Sequence, residues 1–317
     1  MECAICGNSA GNKTFTLKEM MFGFRDSFNY FQCSNCHCMQ IENIPPDLDK
    51  YYPADYYSFV TKPIKKINWF GKLQFNQLTG FNKNIFGRIA SYKYRPPHLY
   101  EWCKHLGLIN KNLRILDIGC GNGELLRKLY NLNYKSLTGV DPFIEKDIIY
   151  NKSVKIFKKE IGEMDGEYDI IMLHHALEHM PNQKLIMEKV FGLLANSGKV
   201  LVRIPVISDP LMQKYGVNVV SLDPPRHLYI HSLDSIKRLI TDCGFKINQL
   251  HYDAAVFDII ASEQYVKDIS INAENSYMVN RKKSIFTKAM IQKFKKEIEQ
   301  LNKNKMSPSI ALYLEKK

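Results

Sequence analysis

The segment Arg114 to Leu126, RILDIGCGNGELL, constrains the fold more than any other. An apolar run of Ile115, Leu116 and Ile118, with Asp117 near its end, breaks into Gly119, Gly121 and Gly123, and apolar residues then recur with helical spacing at Leu125, Leu126 and Leu129. Strand, tight turn and helix in that order open a nucleotide-binding α/β sheet. The glycines permit positive φ and let backbone come within contact distance of a ligand. The loop Gly119-Cys120-Gly121-Asn122-Gly123 is G-x-G-x-G, not the G-x-G-x-x-G of dinucleotide sites, and it lacks the third glycine at the position that packs helix on strand. NAD is therefore the poorer match.

A second signal follows one βα unit later, in Ser136-Leu137-Thr138-Gly139-Val140-Asp141-Pro142. An acid at the end of a second strand can accept two hydrogen bonds from a ribose diol. Together the two segments resemble class I S-adenosylmethionine (SAM)-dependent methyltransferases. That resemblance implies SAM as cofactor, with Asp117, Gly119, Cys120, Gly121, Asn122 and Gly123 around its methionine end and Asp141 and Pro142 at its ribose. Strands are expected near 114–118, 136–140, 154–157, 168–173, 199–204, 245–252 and 309–314, the last antiparallel beside the fifth as in the resembled fold. The expected class is α/β, a Rossmann-like, seven-stranded, doubly wound sheet.

Five of the eight cysteines, Cys3, Cys6, Cys33, Cys36 and Cys38, crowd the first forty residues. Cys3-x-x-Cys6 and Cys33-x-x-Cys36 have the spacing of two zinc knuckles, and four thiolates suit a closed tetrahedral site for structural Zn²⁺. His37 and Cys38 are surplus ligands, either of which is an alternative to Cys36. The N-terminus carries no basic segment followed by an apolar one, and no run approaches the roughly 18 apolar residues of a membrane span. A cytoplasmic protein without a membrane partner is expected, in which reduced thiols favour metal over disulfides.

The expected organisation is a zinc-binding module over residues 1–60, a connector with helices over 61–112, and a SAM-binding methyltransferase domain over 113–317 with an insertion at about 254–283 above the active site. Helices over Ile85 to Leu108 should break at Pro96-Pro97, and Tyr51, Tyr52, Tyr56 and Tyr57 flank Pro53 in a segment suited to packing on the neighbouring domain.

Two stretches hold candidate chemistry. Tyr168 to Leu173 is followed by His174-His175-Ala176-Leu177-Glu178-His179, which places His174, expected at the cofactor, and His175, expected at the acceptor, at the carboxyl edge of the sheet beside the glycine loop. Helical spacing would put His175 and His179 on one face as metal ligands, but no companion ligand is evident. After the fifth strand, Asp223-Pro224-Pro225-Arg226-His227-Leu228 offers a planar donor fork for a phosphate or carboxylate in Arg226 and a base in His227. The H-x-L-E-H and D-x-P-R-H-L strings, the knuckles and the YY-P-x-x-YY segment resemble methyltransferases of bacterial surface-glycan pathways, in which Glu178 and His179 would begin a helix. That resemblance implies O-methylation of a small, polar, nucleotide-linked sugar or phosphate-type intermediate of capsule or O-antigen biosynthesis. Relative to sugar C-methyltransferases with the same knuckles, the chain ends soon after its seventh expected strand, which speaks against a carbon acceptor. His175 or His227 would be the base for a hydroxyl, and Arg226 the key residue for an anion.

Two rivals remain: an RNA methyltransferase, and a scaffold that binds SAM without turnover. The net charge of +12 suits RNA, but residues 281–317 carry eleven Lys or Arg against three Asp or Glu, so most of the excess sits in one late segment. No N/D-P-P-[YF] tetrapeptide for a base amine is present. Nucleic acid is the disfavoured partner.

Overall fold

The structure, a computed structural model, describes residues 1–53, 63, 66–81, 85–93 and 98–317. Its strands are β1 (Lys13–Lys18), β2 (Ser27–Gln32), β3 (Met39–Ile41), β4 (Arg114–Ile118), β5 (Ser136–Val140), β6 (Ile148–Asn151), β7 (Val154–Phe157), β8 (Tyr168–His174), β9 (Leu194–Pro205), β10 (Tyr229–Ile230), β11 (Phe245–Tyr252) and β12 (Ser309–Lys316). Its helices are α1 (Trp69–Thr79), α2 (Ile85–Lys93), α3 (His98–His105), α4 (Glu124–Asn131), α5 (Gln183–Leu193), α6 (Asp209–Tyr215), α7 (Leu233–Asp242), α8 (Val256–Val266) and α9 (Lys288–Lys303). Tyr56, Tyr57, Pro96 and Pro97 lie outside the described residues.

Eight strands make the central sheet in the order β11-β12-β9-β8-β4-β5-β7-β6. Strands β9, β8, β4, β5 and β7 are parallel, and β12 inserts antiparallel between β9 and β11. From β4 the chain first builds outward through β5 and then returns to β8 on the other side. The switch point therefore lies between β4 and β8, where crevices open at carboxyl strand ends. This is the Rossmann-like methyltransferase fold with a mixed sheet, and seven of its strands fall where the sequence places them. The eighth, β6, was not expected: it pairs antiparallel with β7 at the sheet edge, where Ile148-Ile149-Tyr150-Asn151 shows no period-two alternation.

Both sheet faces are covered, as parallel strands require. Leu116, Ile118, Ile171, Leu173, Val200 and Val202 pack with Met187 and Val190 of α5 and Ile236, Leu239 and Ile240 of α7. Ile115, Leu137, Ile156, Ile170 and Met172 point the other way, onto Phe75 of α1, Tyr100 of α3 and Leu126 and Leu129 of α4. The residues alternate along each strand because successive side chains point to opposite faces.

The N-terminal strands form a second sheet, β1-β2-β3-β10, whose last member comes from residues far along the chain. Tyr229 pairs with Gln40 and Ile230 with Met39. Leu17, Tyr30 and Met39 are buried with Leu211 and Tyr215 of α6, Ile259 and Ile260 of α8, and Ile291, Phe294 and Ile298 of α9. A shared sheet and a shared core thus cross the expected division at residue 60. The α9 stripe at 291, 294 and 298 also turns the late basic segment into an ordinary amphipathic helix with an apolar inner face.

Candidate active site

The glycine loop follows β4 with Gly119, Gly121 and Gly123 at φ of +69°, +52° and +73°. Only glycine adopts these angles without strain. A Cβ at Gly119 would lie 2.6 Å from the Cβ of Ala176, and one at Gly123 would lie 2.5 Å from Cδ1 of Ile156. The loop is thereby pressed against both β7 and the turn after β8. Asn122 is buried, and its carbonyl accepts from the Tyr150 hydroxyl at 2.9 Å. Cys120 turns its side chain down onto Gly139, since a Cβ there would lie 2.5 Å from the Cys120 sulfur. Its backbone alone is left to face a ligand.

Asp117 and Asp141 are both buried beside this loop. Burial, with the charge of Asp141 second, pushes the Asp117 carboxyl up to about 8. Asp141 is also raised by burial, but backbone N–H groups oppose the shift: Gly121 donates to one oxygen at 2.8 Å and Phe143 to the other at 2.9 Å. Each oxygen keeps a second lone pair for a ribose hydroxyl. Pro142 follows directly, partly buried. A cradle of positive-φ glycines and two acids low in cationic partners fits a ligand that is cationic at one end and hydroxylated at the other.

A cavity of about 490 Å³ is lined by His175, His179, Arg203, Asp223, His227, Asp253 and Asp258 among others. It is roofed from two directions, by Met21 and Phe22 of the N-terminal segment and by Ala254 to Asn272, which include α8. Residues 254–283, expected as an insertion over the site, thus supply part of its wall. His175 sits at φ +50°, its backbone N–H donating to the Arg203 carbonyl at 2.9 Å, and its Nδ1 lies 3.3 Å from Oε1 of Glu178. Burial pushes the Glu178 carboxyl up, but His175, His179 and His227 together outweigh it and hold the group below its ordinary value. His227 sets its Nδ1 2.8 Å from the Ser221 carbonyl, and His179 sets its own 2.9 Å from the Arg226 carbonyl and 3.2 Å from the Tyr52 hydroxyl. Burial lowers His179 to about 4, so its ring is neutral near pH 7.

Two expectations are corrected here. Arg226 does not face the cavity: its guanidinium is fully buried and donates to Asp223 at 2.9 and 2.5 Å, to Glu19 at 3.0 Å and to the Tyr51 carbonyl at 3.3 Å. With its donor fork committed to two carboxylates, it joins the N-terminal segment to the Asp223 loop and holds no anionic acceptor. Glu178 and His179 do not begin a helix, because Leu177–His179 is a single 3₁₀ turn and α5 starts at Gln183. The helical pairing of His175 with His179 is absent for the same reason. His174 stands apart from the cavity, its ring 4.6 Å from that of Trp102 and both nitrogens buried without a hydrogen-bond partner among the described residues. Burial, then the charges of Arg203 and His175, keeps it neutral.

Sequence reasoning missed Arg203, Asp253 and Asp258. Arg203 donates to Asp253 at 2.7 Å and lies 4.4 Å over the Trp102 ring, and burial raises Asp258 to about 6. Arg203 was legible as the charged residue near the carboxyl end of a buried strand. The two acids come from segments without a motif.

In the N-terminal sheet the sulfurs of Cys3, Cys6, Cys33 and Cys36 lie within 4.8 Å of one another, with Cys3 to Cys36 and Cys6 to Cys33 at 3.5 Å. These distances are far beyond a disulfide bond and close to the sulfur separation of a tetrahedral thiolate site. Gln40 donates to Cys3 at 2.9 Å and the Cys36 N–H to Cys33 at 3.5 Å, as donors around bound thiolates do. Cys38 is excluded, its sulfur buried 3.9 Å from His231 Nδ1, and His37 is exposed.

The family model described as a methyltransferase domain matches residues 88–250, about half of the chain. The chain belongs to this methyltransferase-domain family. The methyltransferase also resembles the tRNA U34 carboxymethyltransferase of Nautilia profundicola, at 26% identity over 161 residues, 45% of this chain and 50% of that protein. The chain thus spans about half the length of that curated relative. Among solved structures, the O-methyltransferase of a trans-AT polyketide synthase multienzyme of Brevibacillus brevis, bound to S-adenosyl-L-homocysteine, is 16% identical with a TM-score of 0.38, over 64% of this chain and 66% of that one. Magnesium protoporphyrin IX methyltransferase of Synechocystis PCC 6803 is 12% identical with a TM-score of 0.42, over 86% of this chain and 96% of that one. The methyl donor of the SAM-dependent domain is S-adenosylmethionine. Among the described residues, no helix is long and apolar enough to cross a membrane.

Proposed function

We propose that this methyltransferase transfers a methyl group from SAM to a hydroxyl oxygen of a small polar acceptor held in the 490 Å³ cavity. One observation carries the reading: Ala176 packs on Gly119 of the glycine loop, while the preceding residue, His175, lines the cavity. The turn after β8 therefore touches the glycine loop with one residue and the cavity with its neighbour. Bound SAM supplies an electrophilic methyl group, so the chain need only align the acceptor, exclude water and accept a proton. Gly119 to Gly123 and Asp117 would hold the methionine end, and Asp141 the ribose.

His175 is the better of the two expected bases. It adjoins the donor loop, its Nδ1 is oriented by Glu178, and its other nitrogen remains for a substrate hydroxyl. The cavity wall carries Asp223, Asp253 and Asp258, and its one arginine, Arg203, is already paired with Asp253. That balance favours a neutral hydroxyl over the anionic acceptor that an exposed Arg226 would have suited. A sugar hydroxyl of a nucleotide-linked precursor of bacterial surface polysaccharide is the acceptor class supported by the sequence resemblance. We also assign a structural Zn²⁺ to Cys3, Cys6, Cys33 and Cys36 on the strength of their convergence.

Methyl transfer to tRNA is a second reading, favoured by the tRNA-modifying relative and the net charge of +12. Incubation with labelled SAM and either a metabolite extract or total tRNA separates the two. Label in nucleotide sugars supports the first reading, and label in tRNA replaces it.

A further inference from the structure

Glu178 meets the proposed base through one oxygen at most, and His179 and His227 carry no role in SAM binding or proton transfer. Glu178 has no solvent exposure, yet neither carboxylate oxygen has an aligned hydrogen bond among the described residues. A buried carboxylate left so is costly unless it is fully paired or coordinates a metal, and the 3.3 Å approach of His175 engages one oxygen at most. One ligand atom from each of Glu178, His179 and His227 lies within 4.8 Å of the other two.

The two imidazoles are set alike. Nδ1 of His179 faces the Arg226 carbonyl at 2.9 Å, and Nδ1 of His227 faces the Ser221 carbonyl at 2.8 Å. A carbonyl only accepts, so the proton of each ring sits on Nδ1 and each Nε2 keeps its lone pair. A backbone carbonyl behind Nδ1 is the usual device that orients a metal-bound histidine. Both rings line the cavity, from which a water or substrate atom could complete the ligand set.

We propose that Glu178, His179 and His227 form a binding site for a divalent first-row transition metal of the zinc or cobalt kind. Two imidazoles and a carboxylate with one open position are the donor set of catalytic rather than structural zinc sites. The site is distinct from the four cysteines in place and in ligand type, and it does not depend on the methyl-transfer reading.

Cobalt(II) titrated into the zinc-loaded 317-residue chain tests it. One further equivalent should bind, with the weak visible bands of nitrogen and oxygen ligation and without the thiolate charge-transfer band that the cysteine site would give. Glu178→Gln and His227→Ala should each weaken that binding by about 100-fold. X-ray absorption at the cobalt edge of the unaltered protein should show imidazole scattering, a readout that stands even if a variant fails to fold. The proposal is overturned if no further cobalt binds, if it binds only to sulfur, or if both variants bind it as the parent does.

Discussion

Arg226 and Glu19 form an ion pair at 3.0 Å in which neither side chain has any solvent exposure. Glu19 also accepts from the N–H groups of Phe22, Gly23 and Phe24, so its charge is embedded in the turn that brings Phe22 to the cavity. Removing the guanidinium would strand two carboxylates, the fully buried Glu19 and the largely buried Asp223. Arg226→Ala should therefore destabilise the protein by roughly 3–5 kcal/mol, the range for breaking one side of a buried pair. Urea denaturation measures it, and a loss below about 1 kcal/mol would mean that the pair is hydrated in solution.

The cysteine cluster makes its own prediction. Purified protein should hold one zinc in sulfur ligation, and Cys33→Ser should lose it. Because Leu17, Tyr30 and Met39 share their core with α8 and α9, that loss should lower the melting temperature of the whole chain rather than unfold an isolated module. Two separate thermal transitions in the parent protein would contradict this.

Asp117 links stability to cofactor affinity. Its carboxyl rests near 8 in the fold, chiefly through burial, against an ordinary 3.8 in the unfolded chain. The folded state thus binds more protons between those values, and the stability due to protonated Asp117 is lost as pH rises from about 4 through 8. Asp117→Asn should raise the melting temperature of the ligand-free protein at pH 8 while weakening SAM, whose positive charge favours the ionised form. Parent affinity should rise between pH 6.5 and 8.5 more steeply than that of the variant. Asp141→Ala should cost about 1.5–3 kcal/mol of SAM binding, the scale for hydrogen bonds to a charged acceptor. Calorimetric titrations that leave either variant unchanged would remove that acid from the cofactor site.

How far the sequence carried is a matter of range. The glycine loop, Asp141 and the four cysteines are local patterns, and local patterns dictate backbone angle or ligand spacing directly. Arg226 was misjudged because its partners Glu19 and Tyr51 lie far away in sequence, and a guanidinium looks the same whether its fork is free or filled. The same distance hid Asp253 and Asp258, which reach the cavity only after β11 has crossed the sheet edge. β10 escaped notice for a related reason: two residues carry no periodicity, and only the N-terminal sheet gives them a partner.

The base is the sharpest test of the proposed chemistry. His175 lies one residue from Ala176, which fills the space above Gly119, whereas His227 reaches the cavity from the Asp223 loop and donates its Nδ1–H to Ser221. If the acceptor is a neutral hydroxyl and His175 takes its proton, His175→Ala should lower kcat by about 10²- to 10⁴-fold, since proton removal is felt in the transition state. SAM affinity should stay nearly intact, because His175 carries none of the hydrogen bonds assigned to the cofactor. A purely structural role predicts instead a lower melting temperature with kcat largely retained in the folded fraction. Steady-state kinetics on the identified acceptor, read beside the melting temperature, give both readouts, and a folded variant with parental kcat would take His175 out of the mechanism.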